Sequence, residues 1–314
     1  MVILNLILFL VFLAILIKCA DYAIKYSSGL ANILRFPEFV VSFFIIALVS
    51  VLPEATISII SAINGESELG LGTLLGSSVA DLTLVLGIVS FFSRGGIEVK
   101  SRILKNNLFY LILLAFPLIL GFDGRFSRID GLILVLVGGL FFGKLLMKKN
   151  RVGRLNNTKK KSTVATILLL ILSVAILLAS AFLTVKYAVN FANDVKLPTI
   201  LIGLTILAFG TCLPELIFSI KAVMKNHDEL ALGDILGTVI ANVTIILGIV
   251  ALISPFNHSF HDLYVTGTAM LFAGFLVTLF MKSKKTVNRF EGLLLILFYV
   301  LFLFAEFFVN KIFG

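Results

Sequence analysis

The chain has 314 residues, of which 60% are hydrophobic and 14% charged, and its mean hydropathy is +1.12. Soluble domains carry about 25% charged residues, so this composition excludes an ordinary water-soluble fold and predicts an integral membrane protein. The formal net charge of +9 is interpreted as a topology signal beside anionic lipid, and no nucleic-acid partner is expected.

Ten apolar segments follow one another along the chain. Each is continuous and comparable in length to the ~20 residues that a helix needs to span a bilayer, whereas strands of a membrane barrel would alternate in pieces of about ten residues. An all-α membrane protein with ten transmembrane helices is therefore predicted. The segments lie at approximately 2–26, 37–64, 69–93, 104–122, 128–148, 163–190, 198–225, 230–253, 263–281 and 289–311.

One long polar stretch, rich in Lys and Arg, separates the first five segments from the last five. The chain thus divides into a first five-helix repeat at 1–148, a basic cytoplasmic linker at 149–162 and a second five-helix repeat at 163–314. The repeats match at a constant offset of 161 residues, which aligns residue types that an apolar composition alone would not align. Pairs at this offset are Pro53 and Pro214, Glu54 and Glu215, Gly72 and Gly233, Gly76 and Gly237, and Gly87 and Gly248.

An odd number of spans in each half requires the second half to enter the membrane from the opposite face. Inverted repeats are common in secondary transporters, whose ion sites lie near the bilayer midplane where the repeats meet. With the N-terminus outside, most of the 26 Lys and Arg residues fall in cytoplasmic loops and flanks, as the positive-inside rule requires. We expect both termini outside, the linker inside, and residence in the plasma (cell) membrane.

Among the acidic residues within apolar segments, four are singled out, because an ionisable side chain inside a span is costly and is a functional candidate by default. Glu54 and Glu215 occupy symmetric positions, each after Leu-Pro, while Asp81 lies in the third segment and Asp234 near the start of the eighth. Two carboxylates brought together by pseudo-symmetry form a hard, doubly negative site. Such a site suits Ca2+, which takes about 6–8 oxygen ligands.

The proline before each glutamate points to additional oxygen ligands. Pro53 and Pro214 each remove a backbone donor and free a carbonyl one turn earlier, which a membrane tolerates where the carbonyl lines a cavity. The freed carbonyls fall within 47–50 and 208–211 and could complete the shell around a cation. A simple helix kink is the alternative interpretation.

The third and eighth segments carry Gly-x-x-x-Gly at 72–76 and 233–237, a spacing that lets helices approach closely. Helix packing alone accounts for these glycines. The functional interpretation adds that close approach presses nearby polar side chains against the two glutamates. These side chains, paired four residues apart so that each pair faces one direction, are Ser77 with Asp81 and Thr238 with Asn242.

This doubled pattern, Leu-Pro-Glu followed by Gly-x-x-x-Gly-(Ser/Thr) and then Asp or Asn, resembles the α-repeats of the Na+/Ca2+ exchanger family of the calcium:cation antiporter superfamily. The resemblance covers nearly the whole chain. It implies alternating-access exchange of Ca2+ for Na+, with the first and sixth helices sliding against an eight-helix core. No resident cofactor is expected, because Ca2+ is cargo and Na+ or H+ the counter-ion.

The resemblance also implies a ligand set. Glu54 and Glu215 would be the central Ca2+ ligands, joined by the carbonyls of Ser50 and Thr211. Asp81 and Asn242 would lie at the middle of the ion cluster. The flanking monovalent-ion sites would be formed by Ala47, Ala208, Ser77 and Thr238.

Departures from the family pattern bear on the counter-ion. Val51 and Cys212 stand where the family has serines, and neither provides a hard hydroxyl oxygen for Na+. Asp81 and Asn242 are exchanged between halves relative to the usual order. Asp234 replaces a usual asparagine, and could either add an acid near a mouth or sit at a helix start, where the macrodipole favours it.

These departures leave Ca2+ well supported as the divalent substrate but weaken the assignment of Na+ as the counter-ion. The alternative is an antiporter that exchanges H+ for Ca2+ or for another divalent cation such as Mn2+ or Mg2+. Close carboxylates can share or exchange protons, which would let the acidic cluster carry protons back.

Two other classes stay open from the residues alone. The acids could line a cation channel, or serve a membrane-embedded enzyme as general acid and base. No nucleophile–base pairing supports an enzyme, and the absence of Gly-x-x-x-x-Gly-Lys-Ser/Thr argues against an ATP-driven pump. Besides Ca2+, a monovalent cation and the lipid bilayer, no obligatory protein partner is expected.

Overall fold

The computed structural model describes residues 2–34, 36, 38–65, 67–99, 107–147, 163–194, 212–258, 260–283 and 286–313. Most of them are helical, which confirms the predicted all-α class. Five described helices are long and apolar enough to cross a membrane: Val2–Ala31, Gly70–Phe92, Thr163–Thr184, Asp228–Ile253 and Leu263–Lys282. The count of ten spanning helices in two repeats stays a prediction, and the linker at 149–162 lies outside the described residues.

The described residues of the first half form eight α-helices, two π-helical turns, two short strands and a 3-10 turn at Gly121–Asp123. They are α1 (Val2–Leu34), α2 (Glu38–Val41), π1 (Ser42–Ile46), α3 (Ala47–Ser50), α4 (Leu52–Ile63), α5 (Ser67–Ala80), π2 (Asp81–Val85), α6 (Leu86–Phe92), β1 (Ile97–Glu98), α7 (Asn107–Leu120), β2 (Arg125–Phe126) and α8 (Arg128–Met147).

The second half follows a similar order. Its described elements are α9 (Thr163–Asp194), α10 (Leu213–Met224), α11 (Asp228–Ile240), π3 (Ala241–Ile246), α12 (Leu247–Ile253), β3 (Phe256–Asn257), α13 (Phe260–Ser283), β4 (Thr286–Val287) and α14 (Arg289–Phe313).

The predicted second segment, 37–64, is not one uninterrupted α-helix. It runs through α2, π1 and α3 and then breaks at Val51, after which α4 begins at Leu52 with Pro53 in its first turn. Proline fits the first turn of a helix because its missing N–H would be unpaired there, whereas its ring excludes a regular preceding turn. The helix assignment is therefore interrupted at Val51, and Glu54 lies just beyond this interruption.

Helix starts repeat at the same offset as the sequence. Leu52 and Leu213 begin α4 and α10, Leu86 and Leu247 begin α6 and α12, and Arg128 and Arg289 begin α8 and α14. Residues 161 positions apart thus have equivalent local structure, as an internal duplication requires.

Two antiparallel strand pairs connect the halves. β1 pairs with β4 through Ile97 and Val287, and β2 pairs with β3 through Phe126 and Phe256. The predicted topology assigns the first pair to cytoplasmic loops and the second to external loops. Loops expected on one membrane face are therefore the loops that contact each other.

The longest described helices, α1 and α9, lie against each other in antiparallel orientation. Asn5 Nδ2 of α1 donates a hydrogen bond of 2.8 Å to Asp194 Oδ2 of α9, and the rings of Phe12 and Tyr187 stack at 5.5 Å. Only 11% of the most apolar window of α1 is buried within the protein. Its outer face carries exposed aliphatic side chains such as Ile3, as expected for contact with lipid.

The centre of the fold is formed by α5–π2–α6 and α11–π3–α12, each of which is 83% buried over its most apolar window. Glycine permits this crowding on α11. A Cβ added to Gly237 would lie 2.6 Å from the Ala47 Cβ and 2.7 Å from the Phe43 carbonyl oxygen. The close helix approach predicted from the glycine spacing is therefore present where α11 crosses π1 and α3.

Candidate ion-binding site

Four acidic side chains are buried in the centre of the protein. Glu54, Asp81 and Glu215 are each 1% exposed and Asp234 is 0% exposed. An ionised carboxylate removed from water is very costly unless charges or hydrogen bonds compensate it. Their burial therefore requires compensating partners.

The acids form one electrostatic cluster at the junction of the two halves. Glu215 interacts electrostatically with Glu54, Asp81 and Asp234, and Glu54 interacts with Asp81. The pseudo-symmetric glutamates therefore belong to a single site rather than to separate mouths of the protein. We call these four residues the acidic cluster.

Both glutamates are placed by the same local structure. Glu54 lies in the first turn of α4 and Glu215 in the first turn of α10, each directly after a proline. The positive end of the helix dipole favours a carboxylate at this position. The Leu-Pro-Glu motif thus starts a helix and places its glutamate beside that helix's N-terminus.

The central helices present their polar residues through π-helical turns. π2 begins at Asp81, and π3 contains Asn242 as its second residue. Such turns are rare and often occur at functional sites, because one extra residue in the turn shifts the side chains that follow it. The apolar pattern of these segments is helical throughout and did not reveal the π turns.

Ser50 connects α3 to α11. Its Oγ lies 3.1 Å from Asp234 Oδ1, to which it donates, 3.1 Å from Thr238 Oγ1 and 3.3 Å from the Ala47 carbonyl oxygen. Three residues of the expected ligand set therefore meet Asp234 here. We call Ala47, Ser50, Asp234 and Thr238 the Ser50 side of the cluster.

The position of Asp234 corrects one sequence interpretation of this residue. α11 begins at Asp228 rather than near residue 230, so Asp234 is more than a turn inside the helix and is fully buried. It is therefore not a helix-start residue. The close approach of α11 to α3 instead brings it to Ser50.

A second set of contacts surrounds Asp81, and we call Ser77, Asp81, Cys212 and Asn242 the Cys212 side of the cluster. Asp81 has a side-chain hydrogen bond with Cys212, and Asn242 Nδ2 donates to Ser77 Oγ across 3.2 Å. Both contacts join the two halves of the chain.

From the sequence, Cys212 was noted only because it replaces a serine of the family pattern. Tyr110 of α7 was not predicted as a site residue. The Tyr110 ring is buried, and its hydroxyl group interacts electrostatically with Asp81. A polar hydroxyl within an apolar span was the available signal for Tyr110.

Several buried oxygens of the cluster have no hydrogen-bond partner among the described residues. An unpaired buried polar atom costs about 1–3 kcal/mol, and more when it is charged. Hard oxygen atoms of this kind are the preferred ligands of Ca2+ and similar cations. They are Glu54 Oε2, Asp81 Oδ1, both carboxylate oxygens of Glu215, Asp234 Oδ2 and Asn242 Oδ1.

The described acidic side chains do not by themselves form a metal centre. In the part of the chain that the structure describes, no group of three His, Cys, Asp or Glu side chains has a geometry that could hold a metal ion. Hydroxyl and carbonyl oxygens would therefore have to complete any cation shell. Two of the predicted contributors, Ala208 and Thr211, lie outside the described residues.

Comparison with known proteins places this arrangement in a family. The family model described as "Sodium/calcium exchanger protein" matches residues 4–143 and 165–308. The chain belongs to the sodium/calcium exchanger family. The two matched intervals are separated at the predicted linker, so each half of this exchanger-family chain matches the model.

Relatives and solved structures agree over almost the full length. The chain is 26% identical to the sodium/calcium exchanger MaX1 of Methanosarcina acetivorans, with 98% of this chain and 100% of the relative covered. It is 30% identical to the uncharacterized membrane protein MJ0091 of Methanocaldococcus jannaschii, covering 93% of this chain and 95% of the relative.

Among solved structures, the sodium-calcium exchanger NCX_Mj soaked with zero Na+ and Ca2+ matches with a TM-score of 0.84 and 28% identity. The match covers 96% of this chain and 98% of that chain. The resemblance stated from the motifs is thereby confirmed, and the chain is an integral membrane protein of a transporter family rather than of an enzyme family.

Proposed function

We propose that this exchanger-family protein is a secondary active antiporter that exchanges Ca2+ for Na+ by alternating access, with Glu54 and Glu215 as central Ca2+ ligands. One observation carries the proposal: four buried carboxylates from both halves interact in one cluster and keep oxygens that have no hydrogen-bond partner among the described residues. Such a cluster has the charge and the ligand chemistry that a desolvated Ca2+ ion requires.

The same cluster explains how two ion fluxes are coupled. Several uncompensated carboxylates in a low-dielectric interior are strongly unfavourable, whereas bound cations neutralise them. The protein can therefore change the side to which the site opens only when cations occupy it. Ca2+ moves in one direction and monovalent cations return in the other, without any nucleotide.

Ligand roles follow from the contacts together with family membership. On the Ser50 side, the Ala47 carbonyl, Ser50 and Thr238 provide oxygens for the central and a flanking site. On the Cys212 side, Asp81, Asn242 and Ser77 provide the middle of the cluster and the second flanking site. The remaining proposed carbonyl ligands are Thr211 and Ala208.

The proposed architecture has ten helices in two inverted five-helix repeats, with both termini outside and the plasma membrane as location. The offset of 161 residues between corresponding helix starts and the strand pairs between the halves support it. α1 and α9 form the antiparallel pair that would slide against the other helices during exchange.

A second candidate, Ca2+/H+ antiport or H+ exchange for another divalent cation, is favoured by one specific difference. Val51 is buried and apolar where the family pattern has a serine, and the Cys212 thiol at the equivalent position is engaged by Asp81. Neither side chain supplies a hydroxyl oxygen to a Na+ site, while carboxylates can exchange protons.

Uptake of radiolabelled Ca2+ into proteoliposomes tests the proposal. We expect uptake against an outward Na+ gradient, saturation with Ca2+, and loss of uptake when the gradient is dissipated. Uptake driven by a pH gradient but not by Na+ would select the second candidate. A Ca2+ conductance that persists without any counter-ion would identify a channel and reject both antiporters.

A further inference from the structure

A basic pocket lies beside the C-terminal half of α1, at the end of α10 and separate from the acidic cluster. Its volume is about 490 Å³, and its lining includes Lys18, Asp21, Tyr22, Lys25, Lys225 and His227. The volume is in the range of small-ligand sites, about 300–1,000 Å³. None of these residues contributes to the proposed ion site.

The pocket has more positive than negative charge. The Asp21 carboxylate forms an ion pair with the Lys225 ammonium group at 2.9 Å and lies 3.9 Å from the Lys221 ammonium group. One carboxylate is therefore shared between two lysines. His227 is already paired, because its Nδ1 lies 2.9 Å from both Glu38 carboxylate oxygens.

Two lysines remain without a carboxylate partner in the described part of the chain. Lys18 and Lys25 are exposed and appear in no salt bridge there, and the Lys25 ammonium lies 5.9 Å from the Tyr26 ring centroid. Both are on α1, within two turns of each other, and both line the pocket. They provide unneutralised charge for an anion.

The surroundings of the pocket are those of a membrane interface. The α1 residues of the pocket lie in the C-terminal half of the candidate span Val2–Ala31. Tyr22, which is 44% exposed, stacks on Tyr26 at a ring distance of 6.4 Å. Tyrosines concentrate at the level of lipid head groups, where lysines extend their ammonium groups towards the polar layer. The predicted topology places this level at the cytoplasmic leaflet, which is rich in anionic lipid.

We infer that this pocket binds a phosphate group, presented by the head group of an anionic lipid or by free phosphate, through Lys18 and Lys25. The Asp21–Lys225 ion pair, which joins α1 to the end of α10, also lines this pocket. Because the pocket joins α1 to the end of α10, a bound phosphate would bridge these two helices. The inference does not depend on which ions the protein exchanges.

Native mass spectrometry of the purified full-length protein in detergent tests the site. Phosphatidylglycerol and inorganic phosphate are titrated separately, with phosphatidylcholine as the lipid without net charge. The variant is Lys18→Gln with Lys25→Gln. The matched control is Lys186→Gln, because Lys186 is the counterpart of Lys25 on α9 and does not line the pocket.

We expect the double variant to bind phosphatidylglycerol at least tenfold more weakly, since each interfacial lysine contributes roughly fivefold to binding of an anionic membrane. Lys186→Gln should bind as the unmodified protein does. If inorganic phosphate binds but phosphatidylglycerol does not, and this binding depends on the two lysines, the phosphate site is supported and its ligand is the free anion.

Charge is separated from folding by a second double variant, Lys18→Arg with Lys25→Arg, which should retain binding because arginine also binds phosphate. The inference is overturned if neither probe binds the unmodified protein, or if the glutamine variant binds both as tightly. It is also overturned if the arginine variant loses as much binding as the glutamine variant.

Discussion

The Ser50 side and the Cys212 side of the acidic cluster occupy related positions in the two halves but differ in chemistry. On the Ser50 side, a hydroxyl group contacts Asp234 and Thr238. On the Cys212 side, a thiol contacts Asp81. Each central helix thus retains one buried acid, although Asp234 corresponds to Thr73 rather than to Asp81 at the repeat offset.

This comparison shows that duplication preserves positions more strictly than residue types. A backbone fold repeats because helix starts, prolines and close-packing glycines recur. The ion chemistry then depends on which side chain occupies each repeated position. In this protein each side has one acid, but Asp234 and Asp81 stand at non-equivalent positions of the repeat, so the two proposed flanking sites would be unequal.

The largest effect is expected from Glu54 and Glu215, the two glutamates of the acidic cluster that belong to neither side. Glu54→Gln or Glu215→Gln removes a charge from the site, and an uncompensated change in a buried charge group costs about 3 kcal/mol or more, roughly 100-fold. Ca2+ uptake into proteoliposomes should fall by at least that factor. Asp123→Asn, in an exposed loop, is the matched control, and retained exchange in either glutamine variant would refute the central-ligand assignment.

The next effect tests the crowding on the Ser50 side. Gly237→Ala places a methyl group 2.6 Å from the Ala47 Cβ, and overpacking of this kind costs about 1–3 kcal/mol. The midpoint of thermal unfolding in detergent should fall. Gly139→Ala on α8 is the control, because Gly139 is exposed and no described atom lies within 4 Å of the added Cβ; an equal loss in both variants would contradict the prediction.

An intermediate effect is expected from the acid that distinguishes the Ser50 side. Asp234→Asn keeps an oxygen that can accept from Ser50 but removes one charge, so uptake should fall by about tenfold, the value of a hydrogen bond to a charged group. Asp234→Leu should be worse because Ser50 loses its carboxylate acceptor, although its contact with Thr238 remains. If uptake rates of the asparagine variant equal those of the unmodified protein, Asp234 does not act in transport.

The smallest effect is expected on the choice of counter-ion, from substitutions that make the two sides more alike. Val51→Ser with Cys212→Ser restores hydroxyl oxygens at equivalent positions, and we expect a rise of about threefold in Na+-driven relative to pH-driven uptake, less than 1 kcal/mol. Cys212→Ser alone, which keeps a donor for Asp81, is the comparison. An unchanged ratio in the double variant would show that these positions do not select the counter-ion.

Much of the architecture could be predicted because it depends on local properties. Long apolar runs predicted membrane helices, and Pro53 was expected to remove a backbone hydrogen bond from the turn before Glu54. The motif in both halves led to the correct family. The π turns at Asp81 and Ala241 could not be predicted, because a single extra residue in a helical turn leaves the apolar pattern almost unchanged.

The sequence by itself determined that the chain is a membrane protein, that it is duplicated, and that an acid follows Leu-Pro in each half, since composition and residue order express these properties. Only the tertiary structure decided that Asp234 contacts Ser50 and that Cys212 contacts Asp81. These contacts join residues more than 100 positions apart in the chain. Their existence depends on how closely helices of opposite halves approach, which glycine and π-turn geometry control.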